Sequence, residues 1–545
     1  MFIITTPLPY TNAEAHLGHL LEGIFTDTIA RFFRRYTIDQ VNLTMGLDQH
    51  GLKIYQKALE AGEKPEEFVR QKGKTFIDLW NQFDVKYDSF IETDDRNHKA
   101  VSQIIWSRLL KNGYIYKKSY KGLYCVGCED FYAPSQLTED GKCPTHLKEP
   151  IEMNEENYFF KLSAFEESIR NYLESAEIKP EYIRQEWLNF VKGGLEDVSC
   201  SRQKERMPWG IEVPNDKSQV MYVWIEAIIN YLTACVNPET IDRWIEIPAL
   251  REETEPEVFA ELLDSLPISI MYISKEIAKF HLVIFIGMLE AIGLPLPLRS
   301  IAHGLINDAN GHKFSKSLNN GVFPHEVVSK IGIDGTRFVM LHDINVDGDT
   351  NFDWTRILES YNSHLADNIG NLVMRVSTLV EKNLDGLVDL DTWSPTLPEF
   401  MNSSKVQEVE IEEETVNIDE NGDETEATQT KIQKVIGPIP FDFSPAYAYL
   451  YDLKPKEALD VVLSGANFGN ELLEKTKPWT RAKEGKIEEV REILTGLCIL
   501  LRDLGEILSI FLPASGDKIY QIFTSEKIVK AEVLFQKYDF ELDKK

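Results

Sequence analysis

A strand–loop–helix unit at the N-terminus constrains this chain most tightly. Residues Phe2 to Thr6 form a short apolar, β-branched run, and Pro7, Pro9 and Asn12 then mark a loop. Beyond it Leu17, Leu20, Leu21, Ile24, Ile29 and Phe32 recur at helical spacing, which predicts an amphipathic helix over His16 to Arg35. The string His16-Leu17-Gly18-His19 therefore falls on a helix N-terminus, where free backbone N–H groups and the positive end of the dipole favour phosphate. His16 and His19 share one face of the first turn and can donate to phosphate oxygens, while Gly18, lacking a side chain, lets a flat base approach. Taken alone, the string also describes a helix start with two surface histidines and a packing glycine.

A second string, Lys313-Phe314-Ser315-Lys316-Ser317, gives the first its meaning. Ser300 to Leu305 reads as a buried strand end and Asn307 to Gly311 as turn chemistry, so the lysines lie on a loop that follows a strand. In open α/β sheets such loops lie at the ligand-binding edge. As fixed cations, Lys313 and Lys316 can neutralise charge building on a triphosphate attacked at its α-phosphate, chemistry that needs no protein nucleophile. A solvated basic loop has the same composition. The order of the two strings and their contexts favour nucleotide activation.

Composition narrows the setting. At 545 residues and 43% hydrophobic content the chain can build several cores, roughly three to four domains. No basic stretch precedes an apolar run at the N-terminus, and the apolar run around Phe280 to Leu289 is too short to cross a bilayer. Six cysteines, three of them clustered, do not make a disulfide framework, so a reducing compartment, the cytoplasm, is expected, with no membrane partner. The formal charge of −30 means that any nucleic-acid contact must use local basic stripes. Arg31, Arg34 and Arg35, and Lys111, Lys117, Lys118 and Lys121, are candidates.

The cysteine cluster is the next strongest signal. Cys125-Val126-Gly127-Cys128 and Cys143-Pro144-Thr145-His146 offer four soft or borderline ligands in two tight pairs, separated by fourteen residues. That pattern predicts one closed tetrahedral Zn2+ site, structural because four protein ligands leave no position for water. Its job would be to staple a small insertion with little core of its own.

With these blocks in hand, the chain resembles the class I aminoacyl-tRNA synthetases, and more narrowly the methionyl-tRNA synthetases of the bacterial type with a single Cys3His knuckle, over nearly its whole length. Thr5-Thr6-Pro7-Leu8-Pro9-Tyr10-Thr11-Asn12 is similar to the family's opening strand and loop, and Gly46-Leu47-Asp48-Gln49-His50-Gly51 to its next block. The resemblance implies a Rossmann-type doubly wound α/β sheet split by a zinc-knuckle insertion and followed by an α-helical bundle. It also implies two steps: methionine and Mg2+-ATP give methionyl-adenylate, and the methionyl group then passes to the terminal adenosine of initiator and elongator methionine tRNAs. His16, Gly18, His19, Lys275 and Lys316 would bind ATP, and Lys313 would join the catalytic set. Asp48 would face the ammonium group of L-methionine, with Leu8, Tyr10, Trp224, Ala227, Ile228, Tyr231 and His281 around its side chain. Aromatic walls suit a polarizable thioether. Asn371, Arg375 and Trp479 match the anticodon-reading positions, where stacking on an indole and edge contacts from amide and guanidinium groups read unpaired bases.

Several residues depart from the family pattern around one site. Glu226 stands where aspartate is usual, Ser274-Lys275-Glu276 replaces Gly-Lys-Asp, Phe285 replaces a tryptophan, and Asn319-Asn320 replaces Gly-Asn. These changes keep two other readings open: a paralogue with altered amino-acid or acceptor specificity, and a non-catalytic tRNA-binding relative. The retained Asn371, Arg375 and Trp479 speak against the first, and the intact phosphate-binding histidines and lysines against the second.

The expected organisation is a first catalytic half (1–110), the zinc-bearing connection (111–217), a second catalytic half (218–322), a linking segment (323–360) and a helical anticodon-binding domain (361–545) with an acidic insertion (405–437). The short connection leaves no room for a dedicated editing domain. Glu408 to Ile436 alternates β-branched and polar residues about Asn421-Gly422, which fits a hairpin or a disordered acidic loop. Few residues follow Phe535, so no appended dimerisation domain and hence a monomer is expected.

Overall fold

Phe2–Thr5 (β1), Val41–Leu47 (β2) and Ile270–Ser274 are almost wholly buried apolar runs, the pattern of strands covered on both faces. They form the middle of a parallel sheet. The computed structural model describes residues 1–36, 40–126, 130–132, 136–138, 140–145, 147–314, 320–390, 408–418, 424–434 and 441–540. The chain divides into a unit of residues Met1–Ile357 and a unit of Leu358–Lys545.

In the first unit the remaining strands of the six-stranded sheet are Ser89–Glu92 (β3), Glu177–Lys179 (β4) and Arg299–His303 (β6), with Ile270–Ser274 as β5 and the order β3-β2-β1-β5-β6-β4. All neighbouring pairs run parallel. The strand order reverses between β1 and β5, which pair through Ile4 and Ile270. Loops leaving the carboxyl ends of strands on either side of such a switch point enclose a crevice. The helix Leu17–Tyr36 follows β1 within one residue of the expected limits, and its leucines, isoleucines and phenylalanines pack inward.

Residues 111–217 are more than an appended knuckle. They contain a four-stranded antiparallel sheet that includes Ile115–Cys125 and Ile151–Phe160, and most of a smaller three-stranded one whose central strand runs on to Met221. They also supply β4, the edge strand of the main sheet, and helices Glu166–Ser175 and Glu181–Lys192, whose Ile169, Leu173 and Ile183 join the catalytic core. A three-residue strand is too short to announce itself in a sequence. Further on, the segment Pro324–His342, two helical stretches joined at a kink on Gly332, buries Arg337, which donates to Asp27 at 2.8 Å and to the Phe83 carbonyl at 3.0 Å. Asp27 lies on the first helix and also accepts from Arg31 at 2.8 Å, so a buried ion network locks that helix to this segment.

The second unit is helical, as the family resemblance implies. Its core lies among Asn371–Leu384, Pro455–Thr476, Ile487–Phe511 and Pro513–Thr524. The last two cross so closely that a Cβ on Gly516 would sit 2.2 Å from the Ser509 nitrogen. The insertion forms a hairpin, with Glu408–Ile418 antiparallel to Glu424–Lys434; its Asn421-Gly422 turn lies outside the described residues.

Candidate active site

The Leu17–Tyr36 helix opens at the carboxyl end of β1 with the two histidine rings stacked, centroids 3.7 Å apart. The Gly18 N–H donates to His16 Nδ1 at 3.1 Å and the His16 N–H to His19 Nδ1 at 3.3 Å. A backbone N–H can only donate, so both Nδ1 atoms are acceptors. Burial, then Lys313, lowers the His16 pKa to about 4, and burial, then His16, holds His19 well below its ordinary value. Neutral rings with Nδ1 accepting carry their protons on Nε2. The motif thus presents two uncharged Nε2–H donors, and the His16 ring, though desolvated where it stacks on His19, keeps part of its surface open to solvent. Gly18 serves this directly, because a Cβ there would lie 3.0 Å from His16 Cε1.

Two cations from other strand ends complete the edge. Lys275, just past β5, reaches Asp349 at 2.6 Å, and Lys313, beyond β6, pairs with Glu276. Glu276, one of the departures from the family pattern, is therefore the counter-ion of a motif lysine. The lysine loop is pinned at its base: Asn307 bridges Lys313, and Asn320 donates to Asp308 at 2.8 Å and to the Lys313 carbonyl at 3.3 Å. Lys316 and Asn319 lie outside the described residues.

One buried pair beside these groups escaped sequence reading. Glu22, one turn after His19, meets His303 Nε2 at 3.1 Å, while His303 Nδ1 donates to the Gly304 carbonyl at 2.8 Å. Burial pushes the Glu22 carboxyl up against the pull of His303. An acid at i, i+3 from a motif histidine was a usable signal; its partner 281 residues away was not.

Asp48 ends β2 deep in the crevice, 4% exposed. It does not cap the next helix, whose N-cap is Gly51. Instead Thr11 donates to its carbonyl from both backbone (3.0 Å) and hydroxyl (2.9 Å), and Tyr10 bridges it. Leu8 packs over Gly46, where a Cβ would meet Leu8 Cδ2 at 2.8 Å.

The segment carrying Trp224 and Tyr231 forms two short helices, Val223–Ala227 and Asn230–Thr233, so the two side chains do not share a single helix face. Trp224 stacks on Phe280 at 4.3 Å. His281 Nδ1 donates to the Ile277 carbonyl at 3.0 Å, and burial lowers its pKa to about 4, so its Nε2 accepts from the Tyr231 hydroxyl at 2.8 Å. Phe280 and His281 lie on a π-helical segment, Phe280–Phe285, that ends on Phe285, itself edge-on to Tyr231. Ala227 and Ile228 are buried alongside.

Glu226 lies at the centre of a buried relay. Its carboxylate meets His50 Nδ1 at 2.9 Å and His98 Nε2 at 3.0 Å; His50 Nε2 continues to Asp94 at 3.2 Å and His98 Nδ1 to Thr233 at 3.0 Å. Burial opposes charge on His50, yet Glu226 and Asp94 outweigh it and raise its pKa to about 9. Burial likewise opposes charge on Glu226, and His50 and His98 overcome it, so its pKa is lowered. A folded-state pKa of about 9 against an ordinary 6.5 gives a stabilisation that is complete below pH 6.5 and lost as pH rises through 9. The Glu226 contribution is present above pH 4.5 and lost as pH falls through its lowered value. Thermal melts should accordingly show the first unit losing several degrees between about pH 7 and about pH 9.5, a loss that Glu226→Gln reduces because only Asp94 then remains to hold the His50 charge; an identical slope in the variant would remove His50 as its source.

In the helical unit Arg375 pairs with Glu474 at 2.6 Å and lies 5.5 Å over the Trp479 ring. Asn371, one turn before Arg375, is exposed on the wall of a cavity of about 240 Å³ shared with Met374 and Phe535. The basic stripes fare less well. Arg31 is committed to Asp27 and Asp84, Arg34 to Asp88, and Lys117 to Glu156 and Asp216.

Of the four expected zinc ligands, Cys125 and Cys143 are described and both are buried, while Cys128 and His146 lie outside the described residues. Cys125 ends the strand Ile115–Cys125. The Leu147 N–H returns to the Cys143 carbonyl at 2.8 Å and the Cys143 N–H takes the Lys148 carbonyl at 2.9 Å, a tight reversal suited to a metal knuckle. Among the described residues no group of three or more ligands is assembled.

A parallel sheet with neutral histidine donors on the helix after its first strand, and lysines at the ends of its later strands, defines an activating site of the class I synthetase type. The sequence matches the family described as tRNA synthetases class I (M) over residues 2–152 and 139–377. It is 34% identical to a methionine–tRNA ligase of Caldanaerobacter subterraneus over 95% of this chain and 73% of that one, and 32% identical to that of Thermotoga maritima over 96% and 74%. The Mycobacterium tuberculosis methionyl-tRNA synthetase in complex with methionyl-adenylate superimposes with a TM-score of 0.80 at 28% identity, over 96% of this chain and 93% of that one. The chain belongs to the class I methionyl-tRNA synthetases.

Proposed function

We propose that the chain activates methionine with ATP in the crevice at the β1–β5 switch point and transfers it to initiator and elongator methionine tRNAs. The observation that carries this reading is the meeting of neutral Nε2–H donors on His16 and His19 with Lys275 and Lys313 at one sheet edge. An oxygen of the methionine carboxylate attacks the α-phosphate and pyrophosphate leaves; a ribose hydroxyl of the terminal adenosine then attacks the adenylate carbonyl and AMP leaves. Donors and cations fixed before the reaction need no reorganisation as charge develops, and positioning supplies most of the rest. Lys316 would reach the same phosphates from the loop whose base Asn320 closes. Mg2+ would arrive with the ATP and neutralise its phosphates. Asp48 takes the ammonium group, and Leu8, Tyr10, Trp224, Ala227, Ile228, Tyr231 and His281 surround the thioether. A single Zn2+ held by Cys125, Cys128, Cys143 and His146 would staple the antiparallel sheet that carries Cys125. The active form is a cytoplasmic monomer.

The test is exchange of labelled pyrophosphate into ATP with each amino acid in turn. Methionine should support it, and a better response to another amino acid would favour the altered-specificity paralogue. Asn371, Arg375 and Trp479 would read the anticodon. Trp479→Ala should then reduce charging of methionine tRNA by about tenfold or more, since base stacking is worth about 1–3 kcal/mol, while methionine-dependent exchange stays unchanged. Equal losses in both assays would refute an anticodon role.

A further inference from the structure

Methionine recognition needs two surfaces at a fixed separation, a carboxylate for the ammonium group and an apolar wall for the thioether. They come from opposite halves of the fold. Asp48 ends β2, whereas Trp224 and Ala227 lie on the helix Val223–Ala227, far along the chain. No covalent or ladder contact joins these two elements among the described residues. What joins them is Glu226.

We infer that Glu226 is a positioning residue for methionine, a charged clasp that sets the Asp48 loop against the pocket wall. The inference rests on the reading of Asp48, Trp224 and Ala227 given above. Glu226 shares its helix with Trp224 and Ala227, and its two carboxylate oxygens divide between His50 and His98 at 2.9 and 3.0 Å. His50 follows Asp48 by two residues, and its N–H donates to Asp48 Oδ1 at 3.4 Å. The loop is braced from its other sides: Thr93 Oγ1 accepts from the Gln49 N–H at 2.9 Å, and the Trp209 indole donates to the Gln49 carbonyl at 2.6 Å. Among the described residues, the clasp runs from this braced loop directly to the pocket helix.

Every part of the clasp is dry. Glu226 and His98 are 0% exposed and His50 1%. Removing charge from one member of such a chain leaves the others underpaired in a low-dielectric interior, so the loop and the helix both relax. Length matters too. Glutamate reaches both histidines at once; aspartate, one methylene shorter, cannot do so unless the helix moves.

A clasp of this kind acts on one substrate. ATP is held by the β1, β5 and β6 ends, which Glu226 does not touch, so its loss should split the Michaelis constants. In pyrophosphate exchange Glu226→Gln should raise KM for methionine about tenfold or more and leave KM for ATP within about twofold. Glu226→Asp should give a smaller rise of about threefold, because it keeps the charge but loses the span. Active-site titration should find both variants fully competent. A merely structural residue would lower the titrated fraction and leave both constants alone. That result, or a parallel rise in both constants, would overturn the inference. If Glu226→Gln does not fold, Glu226→Asp decides alone, and an unmoved KM for methionine in that folded variant overturns the inference equally. Wild-type enzyme distinguishes the two levels: no methionine-dependent exchange would sink the pocket assignment itself, and normal exchange with unmoved variants would sink only the clasp.

Discussion

Replacing Lys316 with alanine should slow methionine-dependent pyrophosphate exchange by roughly a hundredfold to a thousandfold, about 3–4 kcal/mol of transition-state stabilisation. KM for methionine should stay within about twofold. The asymmetry follows from where charge appears. Attack on the α-phosphate builds negative charge on the phosphate oxygens and the departing pyrophosphate, far from the side-chain pocket. In the proposed mechanism His16 and His19 answer that charge as neutral donors, in keeping with their lowered pKa values. Lysine therefore supplies the full positive charge, and the two described lysines at this edge are already paired, Lys275 with Asp349 and Lys313 with Glu276. Lys316 is the motif lysine proposed to follow the pyrophosphate. Exchange surviving Lys316→Ala within a few-fold would show that Lys275 and Lys313 suffice.

Asp48→Asn should produce the opposite split, a rise of roughly a hundredfold in KM for methionine with KM for ATP nearly constant. Asparagine keeps the volume and can still accept the His50 N–H at the position of Oδ1. The Thr11 bonds to the residue 48 carbonyl do not depend on the side chain. What disappears is the charge proposed to face the ammonium group, and breaking a buried pair of that kind typically costs about 3–5 kcal/mol. Saturation kinetics in methionine at fixed ATP measure this directly. A variant with wild-type KM for methionine would move the ammonium site elsewhere.

The parts of this account that were legible in the sequence are the local ones. The first strand, its loop and the helix from Leu17 to Tyr36 follow from hydrophobic period and turn residues within forty positions. The long helix Ile487–Phe511 announces itself in the same way. The pairing of Tyr231 with His281 and of Arg375 with Trp479 became visible only through resemblance, because fifty or more residues separate each pair. The polar relays were invisible. Glu226 meets His50 across 176 residues and His98 across 128, and Glu22 meets His303 across 281, separations that only the strand order closes. Periodicity did not show the break after Ala227 that separates Trp224 from Tyr231. It gave no sign of the edge strand Glu177–Lys179, which comes from the connecting segment. Glu226 and Glu276 looked like departures weakening the site; each is instead matched to partners, two histidines for one and Lys313 for the other.

The proposed function joins methionine activation in the crevice to reading of a methionine tRNA by the helical unit. Its most direct test is charging of methionine tRNA transcripts with the native and with a changed anticodon, with pyrophosphate exchange followed in parallel. The account predicts methionine-dependent exchange, methionylation of the native transcript, and at least a hundredfold loss of charging when the anticodon is changed. Exchange without charging of either transcript, or no exchange at all, would contradict it.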